Sequence, residues 1–507
     1  LCLKQEVQKE RLMKSSGQST KFPAPIYRDT VLAPVFADAK RYFLEPLLEI
    51  EYAHTLMLAK QGIMPANEAA ACLLALDALN REEIRNAEYD GSFEDLFFYI
   101  EKKLAALCGE EVAGKMHTAR SRNDIDLTMY RMVLRSRLLE LFNAELGLRQ
   151  VLVDLAWRHR AALTPAYTHN QPAQPTTLGH YLMAYIEILE RDAERIRETY
   201  IRVNRNPLGA CAITTTGFPI DRNYTAKLLG FDALQVNSYG AIAAVDYLVE
   251  SCGVLSTAML SLGRFVQDLL LWSTAEFGYL RLSDAYVQIS SIMPQKRNPV
   301  PLEHVRVLAS RALMEAHGVA GSLHNTPFAD MNDAEDSLQP LVYTAFDDAE
   351  RSLRLLAGVL TEAEFNTARM AQVADGNFLP VTELADALVR ETGMSFHAAH
   401  GIVSSAVREL QGVYDADAMA DIVLRDLNGS GLPREKLLRA LSAENFVAVR
   451  KIPGGPAIEV LEPEILRAKE CSSGDERWLD EKRQRLAEAR KILRAEQERL
   501  IGRVDVR

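Results

Sequence analysis

The stretch VDYLVESCGVLSTAMLSLGRFVQDL, residues 245–269, sets Val245, Leu248, Cys252, Leu255, Met259, Leu262, Val266 and Leu269 at steps that alternate between three and four. That spacing is the period of one helix face, so these side chains form a continuous apolar seam on a helix of about 25 residues. Leu134, Leu138, Leu141, Leu148, Leu152 and Leu155 repeat the pattern, with Glu145 as its one break. Helices of about 35–40 Å, at 1.5 Å per residue, bury such seams only by lying along one another. Strand-like alternation is scarce elsewhere, so the sequence predicts an all-α fold built on a long central helical bundle. The seam suits intrachain core and subunit association equally well, because long apolar faces often continue across oligomer interfaces.

Outward from these helices, polar runs and breakers divide the 507 residues into three parts. Residues 1–125 form an N-terminal helical domain ending in the run His117–Asp124. Residues 126–370 form the central long-helix bundle, and residues 371–507 a C-terminal helical domain that opens at Asp375-Gly376-Asn377. The mixed charges of Asp475–Arg503 suit (i, i+4) pairing and suggest a solvated helix face. The balance of 58 Lys+Arg against 69 Asp+Glu argues against a duplex nucleic-acid binder, which needs a basic face to displace phosphate counterions. Arg264, Gln267 and Asp268 interrupt the longest apolar candidate for a membrane span, Cys252–Trp272. The N-terminus LCLKQEVQKERLMKSS has no apolar core of a secretory signal. Cys2, Cys72, Cys108, Cys211, Cys252 and Cys471 are scattered without a Cys-x-x-Cys pair, the pattern of reduced thiols in a cytoplasmic protein rather than of a zinc site.

Three polar segments interrupt the helical pattern. His117-Thr118-Ala119-Arg120-Ser121-Arg122-Asn123-Asp124 offers two guanidinium forks, a hydroxyl and an amide, a set that suits a carboxylate or phosphate and equally a capped helix start. Tyr167-Thr168-His169-Asn170-Gln171-Pro172-Ala173-Gln174-Pro175 puts a histidine in a rigid polar loop rather than on an apolar face. Ser290-Ser291-Ile292-Met293-Pro294-Gln295-Lys296-Arg297-Asn298-Pro299 gathers a candidate base, a cation and amide donors between prolines. No Gly-rich phosphate cradle, His-Glu-x-x-His motif or metal-spaced His/Cys cluster is present, so no cofactor and no metal is expected.

Together these segments resemble the fumarase/aspartase superfamily, whose Ser-Ser-x-Met-Pro-x-Lys-x-Asn pattern residues 290–298 match position for position. Ser121–Asp124, Tyr167-Thr168-His169-x-Gln171 and Pro207-Leu208-Gly209 are most similar to argininosuccinate lyases, and the likeness spans about residues 47–460. The resemblance implies a homotetramer in which the three segments meet at subunit junctions. It also implies a carbon–nitrogen lyase that removes an amine or guanidine from an N-substituted L-aspartate and releases fumarate. Its partners would then be small molecules, with neither nucleic acid nor membrane.

Such a reaction takes a weakly acidic proton from the carbon next to a carboxylate, so cations and donors must be aimed at that carboxylate before the proton leaves. The resemblance makes Ser290 the base, Lys296 the cation that meets the developing charge, and His169 an orienting group or proton relay partnered by Glu303. Ser121, Arg122, Asn123, Thr168, Gln171, Ser291, Met293 and Asn298 would bind substrate. The sequence departs from the family at Ala119 (usually Gly), Phe97 (His), Ile125 (Gln), Val300 (Asp), at Ala39-Lys40-Arg41-Tyr42, and at Glu335, which aligns across a gap with a Lys. All but Ala119 and Phe97 fall, in the family, on the amine side of the pocket. An extra acid there suits a distal amine better than a carboxylate. The alternative reading is therefore an aminocarboxylic acid lyase of the ethylenediamine-N,N'-disuccinic acid lyase type, acting on N-(aminoalkyl)aspartates. A non-catalytic structural relative would have lost Ser290, His169 or Lys296, and all three are present.

Overall fold

Helix α1 (Leu44–Lys60) packs at one side of five long helices in this computed structural model, which describes residues 22–428 and 431–505. Cys2 and the N-terminal stretch discussed above lie outside the described residues. The five are α2 (Arg122–Arg158), α3 (Leu178–Val203), α4 (Asp246–Trp272), α5 (Val300–Leu323) and α6 (Gln339–Glu362). Contacts of α2 with α3 and α6, and of α4 with α3, α5 and α6, close them into a bundle.

Both seams face into it. Leu248, Cys252, Leu255, Met259, Leu262, Val266 and Leu269 are all buried, with Val245 half-buried just ahead of the helix, and the six leucines of α2 are buried as well. They are intrachain core, each leucine contributing about 2 kcal/mol by removal from water. Among the described residues α4 is the one helix long and apolar enough to cross a membrane, and its seam is spent on its neighbours in the bundle.

Between α2 and α3 the expected polar loop is a β-hairpin, β1 (Leu163–Thr168) with β2 (Gln171–Thr177). His169 and Asn170 form its two-residue tip with φ of 51° and 60°, the doubly left-handed turn whose twist matches that of two paired strands. The chain re-enters α3 so closely that a Cβ on Gly179 would lie 2.7 Å from the Arg160 Cα, so only glycine fits. A shorter ladder, β3 (Gln288–Ile289) with β4 (Arg297–Asn298), closes the third polar segment into a loop just before α5.

A second, smaller apolar cluster joins Leu384, Leu388, Val403, Met419, Val423 and Leu437 from the helices between residues 381 and 440. Helix α7 (Ile458–Asp505) then returns to the main core through Leu461, Ile465, Leu479 and Leu493 and lies along α2. Its charged stretch is thus only partly solvated. Asp475 is buried against Arg149, with Arg197 2.7 Å from its other oxygen, and the Trp478 ring lies 4.9 Å from Phe142.

Glu145, the break in the α2 seam, is buried too, and its Oε2 has no hydrogen-bond partner among the described residues. Burial, and then the neighbouring Asp192, pushes its carboxyl well above the usual range. Asp192 is itself raised to about 6, chiefly by burial. A raised carboxyl keeps its proton in the folded protein where the unfolded chain has released it, so stability is lost as pH rises through that window. Glu145→Gln removes this dependence. We expect the variant to melt above the parent near pH 8 and level with it near pH 4 in paired thermal scans; an offset independent of pH would contradict the assignment.

Candidate active site

The first polar segment lies at the start of α2. Asp124 accepts the Ser121 N–H at 2.9 Å on one carboxylate oxygen and the Gly209 and Cys211 N–H groups at 2.7 and 2.9 Å on the other. This fastens the Pro207–Cys211 turn against the helix end. Asn123 then donates to the Ala212 carbonyl at 3.1 Å, and the Ser121 hydroxyl to the Asn123 amide oxygen at 3.1 Å. Ala119 is held at φ 63°, a backbone conformation that glycine adopts without steric strain.

The two guanidinium groups differ. Arg120 is buried in an ion pair with Glu51, N to O 2.8 Å, beside a buried His54 whose Nε2 donates to the Thr118 carbonyl at 2.9 Å. Burial and the Arg120 charge push that imidazole down to about 3, so it stays neutral. Arg120 is therefore part of the scaffold. Arg122 is half-exposed and pairs with Glu94 at 3.0 Å and Asp95 at 2.8 Å.

At the other end of the bundle, Thr168, His169 and Gln171 are exposed at the hairpin tip. In the loop just before α5, residues 291–296 are exposed and Ser290 is half-buried. Its neck is pinned by Asn298, which donates to the Gln288 carbonyl at 3.0 Å, and by Arg297, which donates to the Leu282 carbonyl at 2.7 Å. Ser290 Oγ accepts the Met293 N–H at 3.1 Å and, more weakly, the Ile292 N–H at 3.4 Å. Ser291, Met293 and Lys296 are exposed, and the Lys296 ammonium has no acidic partner among the described residues. Glu303 is exposed in the first turn of α5.

Helix α2 has 37 residues, so its ends are about 55 Å apart at 1.5 Å per residue. Ser121, Arg122 and Asn123 are at one end and the hairpin follows the other. Tyr167 of the hairpin bonds Tyr279 beyond the end of α4, OH to OH 3.0 Å, which puts the chain leading to Ser290 at the hairpin end as well. No hydrogen bond or ion pair among the described residues joins the three segments, and none joins His169 to Glu303.

The sequence reading of the amine side is corrected in part. Ile125 is fully buried in the core and lines no pocket. Lys40 is committed to the carbonyls of Arg85, at 3.2 Å, and Ala87. Glu335 does lie beside Arg122, together with Asp330, Asp336 and Asp126. Burial first, then Asp330 and Asp336, push Glu335 up to about 7; burial holds Asp336 at about 6 and raises Asp126 well above the usual range. Tyr130 donates to Asp336. Glu94, Asp95, Asp126, Asp330 and Asp336 were not singled out in the sequence. Asp126 was detectable one helical turn after Arg122, whereas the others reach the cluster only through tertiary packing.

Comparison with known proteins identifies the family. The chain matches the lyase family over residues 6–313 and the argininosuccinate lyase C-terminal family over residues 378–448. It is 45% identical over 451 residues to argininosuccinate lyase 2 of Agrobacterium fabrum, covering 87% of this chain and 90% of that one. With the argininosuccinate lyase of Methanoculleus marisnigri the identity is 40% over 458 residues, 88% of this chain and 90% of that one. Among solved structures, an EDDS lyase variant with bound fumarate superposes with a TM-score of 0.84 at 32% identity, covering 94% of this chain and 97% of the other. The match extends through the bundle, the hairpin and the Ser290 loop alike, and the chain belongs to the argininosuccinate lyase family of the fumarase/aspartase superfamily.

Proposed function

We propose that the protein is a carbon–nitrogen lyase that eliminates an amine or guanidine from an N-substituted L-aspartate and releases fumarate. The observation that carries this reading is the Ser290 loop. A serine hydroxyl is a poor base unless its oxyanion is stabilised, and the Met293 and Ile292 amides already point at Ser290 Oγ. As Ser290 takes the β-proton, the adjacent carboxylate gains charge, which Lys296 and Asn298 meet with groups fixed beforehand. Thr168, Gln171, Ser121, Asn123, Ser291 and Met293 hold the succinyl half, and Arg122 marks its border with the amine half. His169, with Glu303, orients the substrate or relays protons.

The site is composite, shared between subunits of a homotetramer. Two groups about 55 Å apart along one helix cannot touch the same small substrate within one chain. Leu260 on α4 and Met314 on α5, 58% and 65% exposed, leave apolar surface on the bundle for neighbouring subunits to cover. The described cysteines form no disulfide, even where the Cys72 and Cys108 sulfurs lie 4.0 Å apart, which supports a cytoplasmic location.

For the amine half, the acids around Arg122 favour the aminocarboxylic reading. The carboxylate of an arginine leaving group would face Glu335, Asp330, Asp336 and Asp126 with one guanidinium already paired to Glu94 and Asp95. A distal ammonium meets attraction instead. The EDDS lyase structures are compatible with this choice and the argininosuccinate lyases with the other.

Ser290→Ala should lower fumarate release, followed by ultraviolet absorbance, by about 10²–10⁴-fold with unchanged helical circular dichroism, because the change deletes the half-buried base and no core volume. Activity above a few per cent of the parent would remove Ser290 from this role. Lys296→Ala should depress kcat more than it raises KM.

Subunits inactivated separately by Asn123→Ala and Ser290→Ala should regain activity when dissociated, mixed and reassembled, since some sites then carry neither change. Hybrids that stay inactive would place both residues in a single-chain site.

With N-(2-aminoethyl)aspartate, KM should fall as pH rises from 6 to 8, because Glu335 and Asp336 ionise across that range and the ionised forms attract the ammonium. Glu335→Gln should flatten that profile. Efficient argininosuccinate cleavage with no turnover of the diamine adduct would overturn the assignment of the amine half while leaving the fumarate half standing.

A further inference from the structure

A cavity of about 390 Å³ opens where α3 and α4 meet the hairpin, within the roughly 300–1,000 Å³ range of small-molecule sites. Tyr167, Tyr181, Trp272 and Phe277 supply its aromatic walls, with the Tyr181 and Trp272 rings 4.8 Å apart and those of Tyr167 and Phe277 5.9 Å apart. Asp268 is set among them. Tyr181 donates to its Oδ2 at 2.7 Å, while Oδ1 has neither a hydrogen bond nor an ion pair among the described residues.

The other ionisable groups of the wall are engaged elsewhere. His180 accepts from the Thr176 hydroxyl at Nδ1, 2.8 Å, and donates from Nε2 to the Gly454 carbonyl, 3.0 Å. Arg450 donates to Glu383 at 3.0 Å and to the Phe446 carbonyl at 2.6 Å, and its guanidinium stacks on the Phe446 ring. A carboxylate without a counter-ion among the described residues, in a cavity walled by aromatic rings, is the chemistry of cation recognition. We propose that this cavity binds a small organic ammonium, its charged head on Asp268 and its aryl or alkyl body among the four rings. Tyr167 and Asn170 belong to the wall and flank Thr168 and His169 in sequence, so an occupant touches the hairpin that presents the histidine.

Because an amine is also a product of the reaction proposed above, the test has to separate the two sites. Calorimetric titration of the full-length protein with phenethylamine should show binding at least tenfold tighter than with its neutral isostere 2-phenylethanol. Asp268→Asn should bring the two ligands level, whereas Glu335→Gln and Ser290→Ala should leave the amine affinity unchanged. Phe277→Leu, which alters the wall and spares the carboxylate, should weaken amine binding severalfold and serves if Asp268→Asn does not fold. Equal affinity for amine and alcohol, absence of binding, indifference to both Asp268→Asn and Phe277→Leu, or loss of amine binding in Glu335→Gln would each overturn the proposal. None of these results depends on whether fumarate is released.

Discussion

Asp124 is the interaction on which the functional end of the molecule depends. It is a buried carboxylate whose two oxygens collect three backbone amides, one from its own helix start and two from a turn 85 and more residues away. Burial raises its carboxyl above the usual range even though the three amides and Arg120 pull the other way. The same contacts satisfy the Ser121 N–H at the helix start and the Gly209 and Cys211 N–H groups of the turn, which burial would otherwise leave unpaired. They also bring the turn so close that a Cβ on Gly209, itself at φ 91°, would lie 2.6 Å from the Arg222 side chain. Ser121 and Asn123 owe their positions to this clamp, and neither needs a partner from the bundle itself.

The division of labour between the ends of the bundle is electrostatic. At the Ser290 end, two backbone amides donate to the hydroxyl and the Lys296 ammonium has no acidic partner among the described residues, an environment that favours a transient anion. At the Arg122 end, carboxylates outnumber cations and several are held above their ordinary range by burial. The two ends thus differ in the sign of charge they favour.

Much of this was legible in the sequence because helical period is a local property. The Leu248–Leu269 and Leu134–Leu155 seams declare a buried face whatever covers it. The 290–298 motif is likewise contiguous, so its residues are readable together. The hairpin was less legible: its strands are short, polar and proline-bearing, and the left-handed tip is filled by histidine rather than by a typical turn glycine. Partnerships between distant segments left little trace. Nothing near Arg122 in the sequence announces Glu94 and Asp95 as its partners, and Ile125 reads as a pocket position although the helix turns it into the core. Glu335 stood out only as a mismatch, and the acids around it became visible once α2 and the loop before α6 were packed together.

The length of α2 has a consequence for how a chain of this kind tolerates insertions and deletions. One added residue would rotate everything beyond it by about 100° and displace it by 1.5 Å. The leucine seam would then face solvent, and the helix start would lose its alignment with the hairpin. Drift in chain length is thereby confined to the connections between long helices. The connection of residues 324–338, between the end of α5 and the start of α6, is such a place. That connection can lengthen, shorten and exchange its charges while the bundle keeps its register, which makes it the natural ground for divergence.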